Sequence, residues 1–197
     1  DPIVIAARIV TTLQTLVSRE LDPQDTGVVT VGAINGGFKH NIIPDEVSMQ
    51  LTVRSFADAT RDKLLKGIER IAKAESMAAG LDGDKAISIR VKDDYTPSLY
   101  NTPELVERVG AVLKKTFGAE KIVTAQPTMG GEDFSRYGRT SDKIPTMLLW
   151  LGAVAQANGV ERRHRLRPPL RRLHHALAGI EQRQLDVLHR RRARQQV

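Results

Sequence analysis

Hydrophobic positions along the chain follow two different periods, and the switches between them lay out a fold. Ala6, Ile9, Val10, Leu13, Leu16 and Val17 recur at helical spacing behind Asp1-Pro2, an N-cap residue followed by the imino acid that suits a first helical turn. Asp22-Pro23, Asp25 and Gly27 end that helix, and the β-branched run 28–34, closed by Gly36-Gly37, reads as a strand. Over residues 46–56 the period is two: Val47, Met49, Leu51 and Val53 share one face, and Ser48, Gln50, Thr52 and Arg54 the other. A second amphipathic helix is predicted over residues 59–79, with Leu64, Leu65, Ile68, Ile71 and Ala72 on its stripe and Gly80 at its end. Ile87, Ile89 and Val91 then alternate with Ser88, Arg90 and Lys92 as a third strand.

Helix, strand, strand, helix, strand is the order of an α+β ferredoxin-like layer, an antiparallel sheet with helices on one face, lacking an initial strand that should precede Asp1. The pattern changes after Tyr95-Thr96-Pro97, so a first domain is expected over 1–98 and part of an α/β domain over 99–155. There Thr102-Pro103-Glu104 opens a helix striped by Leu105, Val106, Val109, Val112 and Leu113 and closed by Gly118. Residues 122–125 read as a short strand, 129–137 as a loop entering a helix, and 146–151 as a buried strand of the parallel type.

Charge changes the picture only at the end of the chain. The net charge is +7, but residues 156–197 hold 11 Arg, no Lys and three acids, a balance of +8 that leaves −1 for residues 1–155. Two explanations of this Arg-rich tail compete: a solvated or nucleic-acid-binding arm, and out-of-frame translation of a GC-rich gene. A real basic arm usually mixes Lys with Arg and carries a recognition motif, so a nucleic-acid partner is not favoured. The absence of cysteine leaves His, Asp and Glu as the possible metal ligands. With no long apolar run and no leader-like start, the expectation is a cytoplasmic protein without a membrane span.

Candidate chemistry lies in three segments: Gly36-Gly37-Phe38-Lys39-His40-Asn41-Ile42-Ile43-Pro44, Leu51-Thr52-Val53-Arg54-Ser55-Phe56, and Met129-Gly130-Gly131-Glu132-Asp133-Phe134-Ser135. An Asn in a turn and an Arg on the polar face of the following strand suit a carboxylate, since Arg offers a bidentate fork and Asn an amide donor. The competing account is that Asn41 satisfies its own turn and Arg54 is an ordinary strand-face charge. His40 either borders the cleft or caps the strand. The pair His174-His175 is read as solvated tail.

Taken with Asp1-Pro2-Ile3-Val4-Ile5-Ala6-Ala7, the Lys39–Glu46 turn and the Gly130–Phe134 loop resemble the metallopeptidase family of aminoacylases, hippurate hydrolase, auxin-conjugate hydrolases and succinyl-diaminopimelate desuccinylase. The resemblance covers residues 1 to about 154. It implies a lid domain over 1–98 that forms a homodimer, then the returning part of a catalytic domain, in an amidohydrolase that cleaves N-acyl or N-aroyl amino acids with two zinc or manganese ions. It further implies that Asn41 and Arg54 bind the substrate carboxylate, at their own or the neighbouring subunit's site in a dimer, and that Gly130, Gly131, Glu132 and Asp133 line the cleft. Glu132 and Asp133 are read as ordering the cleft or touching substrate rather than as metal ligands. The family's metal ligands and general base lie upstream of the lid and in a Leu-His-Ser motif after the Leu151-Gly152-Ala153-Val154 segment, and this sequence lacks both. No catalytic residue and no metal ligand are therefore assigned, and the chain by itself is expected to be inactive.

Overall fold

The computed structural model describes residues 1–152 and the backbone of a further segment, 185–189. The first helix, α1, runs Pro2–Thr15, and the Asp1 carboxylate caps it by accepting the Ile3 N–H at 2.9 Å. Ile5, Ala6, Ile9 and Leu13 are buried along its inner stripe, and a π-helical turn, Leu16–Glu20, carries the buried Leu16 onward. Strands β1 (Gly27–Gly36) and β2 (Val47–Ser55) form an antiparallel hairpin from Gly27 opposite Ser55 to Gly36 opposite Val47, with a register irregularity around Gly32. Helix α2 (Asp58–Ala78) follows and ends before Gly80, whose φ of +78° suits glycine at a helix C-terminus. A short helix α3 (Gly83–Ala86) leads into β3 (Ile87–Arg90).

The alternation read along β2 is what builds the core. Val47, Met49, Leu51 and Val53 are all buried, as are Leu64, Ile68, Ile71 and Ala72 of α2, and these faces close on the α1 stripe in one apolar cluster. Each such side chain contributes about 1.5–3 kcal/mol by leaving water, which is why the two-residue and 3.6-residue periods decide the layer. The opposite face of β2, carrying Arg54, is only partly covered. With β4 (Leu185–His189) the sheet has the order β1-β2-β4-β3, every neighbouring pair antiparallel. The ferredoxin-like arrangement is therefore present, and the slot expected for a strand before Asp1 is occupied by a strand from far along the chain.

Beyond residue 98 the outcome is mixed. Helix α4 (Pro103–Phe117) forms behind Thr102 and ends at Gly118, φ +100°, but its apolar stripe is only half-covered: Leu105, Val106, Val109 and Leu113 are half-buried and Val112 is 60% exposed. The loop at 129–137 does enter a helix, of 3₁₀ type, over Asp133–Arg139. Residues 122–125 form no strand; a single 3₁₀ turn, Ala119–Lys121, precedes them. Residues 146–151 form no strand either. Asn101 and Thr102 bracket them instead, partly with side chains: Asn101 accepts the Leu148 N–H at 2.8 Å and donates to its carbonyl at 2.9 Å, and the Thr102 hydroxyl accepts the Thr146 N–H at 3.0 Å. A parallel-type strand is buried only when both its faces are covered. Here Thr146 is buried and Met147 and Leu148 half-buried, while Leu149, Trp150 and Leu151 are 50%, 60% and 86% exposed. Apart from β4, the predicted tail 156–197, including His174 and His175, lies outside the described residues. Among the described residues no helix is long and apolar enough to cross a membrane.

Candidate substrate-carboxylate site

Arg54 lies near the C-terminal end of β2, on the face turned away from the core. Its Nη1 donates to the Met129 carbonyl at 2.9 Å, a contact that spans 75 residues of chain and sets the guanidinium against the start of the Gly130-Gly131-Glu132-Asp133 loop. Met129 engages one guanidinium nitrogen, and the fork geometry leaves further donors for a planar anion. Within the loop Gly131 is buried, Glu132 is half-buried, and Gly130 and Asp133 are exposed. The Glu132 carbonyl accepts the Ser135 N–H at 3.0 Å and starts the 3₁₀ turn, while the Asp133 carboxylate accepts from the Thr96 hydroxyl at 3.2 Å. Ser135 is 3% exposed, and its hydroxyl has no hydrogen-bond partner among the described residues.

A second set of contacts fastens the end of this loop to Asp58, Tyr95 and Ser98, and sequence reasoning did not single out its arginines. Arg139 donates to the Asp58 carboxylate at 2.7 Å and to the Ser98 hydroxyl at 3.0 Å, Arg136 donates to the Tyr95 carbonyl, and the Arg61 guanidinium lies 4.4 Å from the centre of the Tyr95 ring. The hydrogen bond from Arg139, aided by the charges of Arg139 and Arg61, holds the Asp58 carboxyl below its ordinary range despite an opposing contribution from burial. The sequence signal was indirect: the change of pattern after Tyr95-Thr96-Pro97 falls in the segment that these arginines hold.

Asn41 and His40 stand elsewhere. Both are exposed in the loop joining β1 to β2. That loop leaves the ladder where Gly36 pairs with Val47, whereas Arg54 pairs with Val28 at the other end. Seven residue steps along β2 separate Val47 from Arg54, roughly 23 Å at strand rise. Within one chain the structure thus brings Arg54 to the Gly-Gly-Glu-Asp loop and does not bring Asn41 or His40 to Arg54.

Among the described residues no group of three or more His, Asp or Glu side chains converges to hold a metal ion. The donor set present does not fit a metal centre, so no step is derived through one.

The comparisons with known proteins agree with the architecture. Residues 1–79 match the model of the peptidase dimerisation domain. The chain is 40% identical over 152 residues to an N-acetyldiaminopimelate deacetylase of Leuconostoc citreum, an alignment covering 77% of this chain and 37% of that protein. It is 34% identical over 164 residues to IAA-amino acid hydrolase ILR1-like 2 of Arabidopsis thaliana, covering 83% and 36%. Its fold superposes, with a TM-score of 0.51 and 25% identity, on the crystal structure of a dinuclear metal-binding peptidase of the M20 family from Bacillus subtilis, over 74% of this chain and 35% of that one. The matched part of the chain is similar to peptidases of the M20 family, and the chain spans a little over a third of the length of the curated relatives it matches.

Proposed function

We propose that the whole protein is a metal-dependent amidohydrolase that cleaves the amide bond of N-acyl or N-aroyl amino acids, and that this chain supplies its lid and the recognition of the substrate's carboxylate. The observation that carries the reading is the Arg54–Met129 bond, which holds a planar cationic fork beside the Gly130-Gly131-Glu132-Asp133 loop. Support also comes from the relatives, a deacetylase of an N-acetylated amino acid and a hydrolase of an amino-acid conjugate. Zinc or manganese ions, held by residues other than those described, would supply the water activation in such an enzyme. This chain's residues bind and orient: Arg54 pairs with the carboxylate, and Asp133 and Glu132 order the cleft wall.

Asn41 completes the clamp from a second copy. A homodimer through the lid is supported by the family match over residues 1–79 and by β1, which is an edge strand flanked by the exposed apolar side chains Ile3, Val4, Ile34, Phe38, Ile42 and Ile43. With Asn41 and Arg54 at opposite ends of the hairpin, each lid serves its own site through Arg54 and its partner's through Asn41.

The test is hydrolysis of N-acetyl and N-benzoyl amino acids by the full-length gene product, beside analogues whose carboxylate is capped as an amide. Arg54→Ala is expected to raise KM for the free acids and to leave the capped analogues nearly unchanged. Equal effects on both would overturn the role of Arg54, and no metal-dependent hydrolysis of any N-acyl amino acid would overturn the activity. In that second case residues 1–79 would stand as a dimerisation module alone.

A further inference from the structure

The 3₁₀ helix Asp133–Arg139 turns once every three residues, so side chains three apart stand in line along it. Its seven residues therefore sort into three rows. Ser135 and Gly138 form the inward row: Ser135 is 3% exposed, and a Cβ added at Gly138 would lie 3.2 Å from the Thr146 hydroxyl oxygen. Phe134 and Tyr137 form an aromatic row, with ring centres 5.3 Å apart. Asp133, Arg136 and Arg139 form the third row, and all three bond to one short segment, 95–98. Asp133 accepts from the Thr96 hydroxyl at 3.2 Å, Arg136 donates to the Tyr95 carbonyl, and Arg139 donates to the Ser98 hydroxyl at 3.0 Å and to its carbonyl at 3.4 Å. In an α-helix the same three residues would drift by about 60° around the axis at each step and fan away from a single partner segment.

Arg139 does more than complete the row. Its Nη1 also donates to the Asp58 carboxylate at 2.7 Å, and Asp58 stands only four residues after Arg54. Arg54 in turn donates to the Met129 carbonyl. The stretch 129–139 is thus tied at both ends to the stretch 54–58, and Gly130, Gly131, Glu132 and Asp133 lie between the two ties. Groups in one such network respond to each other's loss, so the seating of the loop against the Arg54 guanidinium depends on the far tie as well as the near one.

We propose that Arg139 is a positioning residue for the carboxylate site: gripping Asp58 and Ser98 together, it fixes the far end of the 3₁₀ helix and so sets where the Gly130–Asp133 loop stands beside Arg54. This role rests on the reading of Arg54 as the partner of the substrate carboxylate. Arg139 acts through the loop rather than on the substrate. An arginine suits the task because one planar fork meets a carboxylate and a hydroxyl with separate nitrogens.

In the full-length gene product, Arg139→Ala is expected to raise KM for N-acetyl amino acids about three- to tenfold and to change kcat by less than about twofold, with carboxylate-capped analogues unaffected. Arg139→Lys, whose one ammonium replaces two nitrogens, is expected to fall between. A lowered kcat at unchanged KM, or equal losses on free acids and capped analogues, would overturn the positioning role. Hydrogen exchange in the chain itself separates this role from the fate of the proposed reaction. In Arg139→Ala, exchange at the Ser135 N–H is expected to rise about three- to tenfold. Unchanged exchange there would overturn the proposal. Faster exchange, with no hydrolysis of any N-acyl amino acid by the full-length product, would overturn the proposed reaction and leave Arg139 as the residue that seats the loop.

Discussion

Replacing Arg54 by Ala isolates the contact on which the site depends. The side chain sits on the partly covered face of β2, so its loss opens no cavity in the core, and the main change is loss of the 2.9 Å bond to the Met129 carbonyl. A part-buried hydrogen bond with a charged donor contributes about 1.5–3 kcal/mol. The loop keeps its other ties, Thr96 to Asp133, Arg136 to Tyr95 and Arg139 to Asp58 and Ser98, so the loss is local and global stability falls little. The free energy of opening the loop falls by the same amount, and exchange at amides that close on it accelerates by about 10- to 150-fold. The reporter is the Ser135 N–H, bonded to the Glu132 carbonyl, read by hydrogen exchange with peptide-level or NMR resolution. Arg54→Lys is expected to recover part of the protection, because an ammonium donates to a carbonyl but lacks the fork. Unchanged exchange at Ser135 in Arg54→Ala would refute the claim that Arg54 anchors the loop.

Ile68, fully buried between α2 and the sheet, is expected to cost about 2–5 kcal/mol on substitution by Ala, seen as a lower urea midpoint at unchanged slope; a loss under about 1 kcal/mol would mean that the core is not closed there. The Asp58–Arg139 pair gives a pH dependence whose sign follows from a depressed carboxyl: its contribution is present above the ordinary value of 3.8 and is lost as pH falls through the lower folded value. Both partners are more than a third exposed, so the effect is small and weakened by salt, and Asp58→Asn should remove it from an acid titration of loop protection. Gly83→Ala is expected to destabilise the α3 turn, since an added Cβ would sit 2.9 Å from the Lys73 carbonyl oxygen; thermal melts of the two proteins decide it.

Elements whose signal is local were legible. Asp1-Pro2 and Thr102-Pro103 marked helix starts, Gly80 and Gly118 their ends, and the alternation from Val47 to Val53 gave both the strand and its buried face. What failed was non-local. The segment 146–151 is as apolar as a buried strand, but burial needs covering elements, and Asn101 supplies a side-chain bracket instead. β4 is five residues inside an Arg-rich stretch, too short for period to stand out, and its place is set by partners far along the chain. For the site, residue types pointed to Arg54 and the Gly-Gly-Glu-Asp loop, whose contact the structure supplies. Sequence spacing gave no hint that Asn41 and Arg54 lie at opposite ends of one hairpin, because thirteen residues span the loop and most of β2 alike.

That separation makes the sharing of sites between two subunits the central claim, and subunit mixing tests it most directly. Full-length Asn41→Ala and Arg54→Ala proteins, each impaired alone, would be unfolded together, refolded and assayed on an N-acyl amino acid. In a two-fold dimer with a shared site, half of the randomly formed dimers carry one site with both residues intact, so activity should return to about a quarter of the unsubstituted level. No recovery on mixing, with heterodimers demonstrated by mass spectrometry, would contradict it and return Asn41 to its own turn.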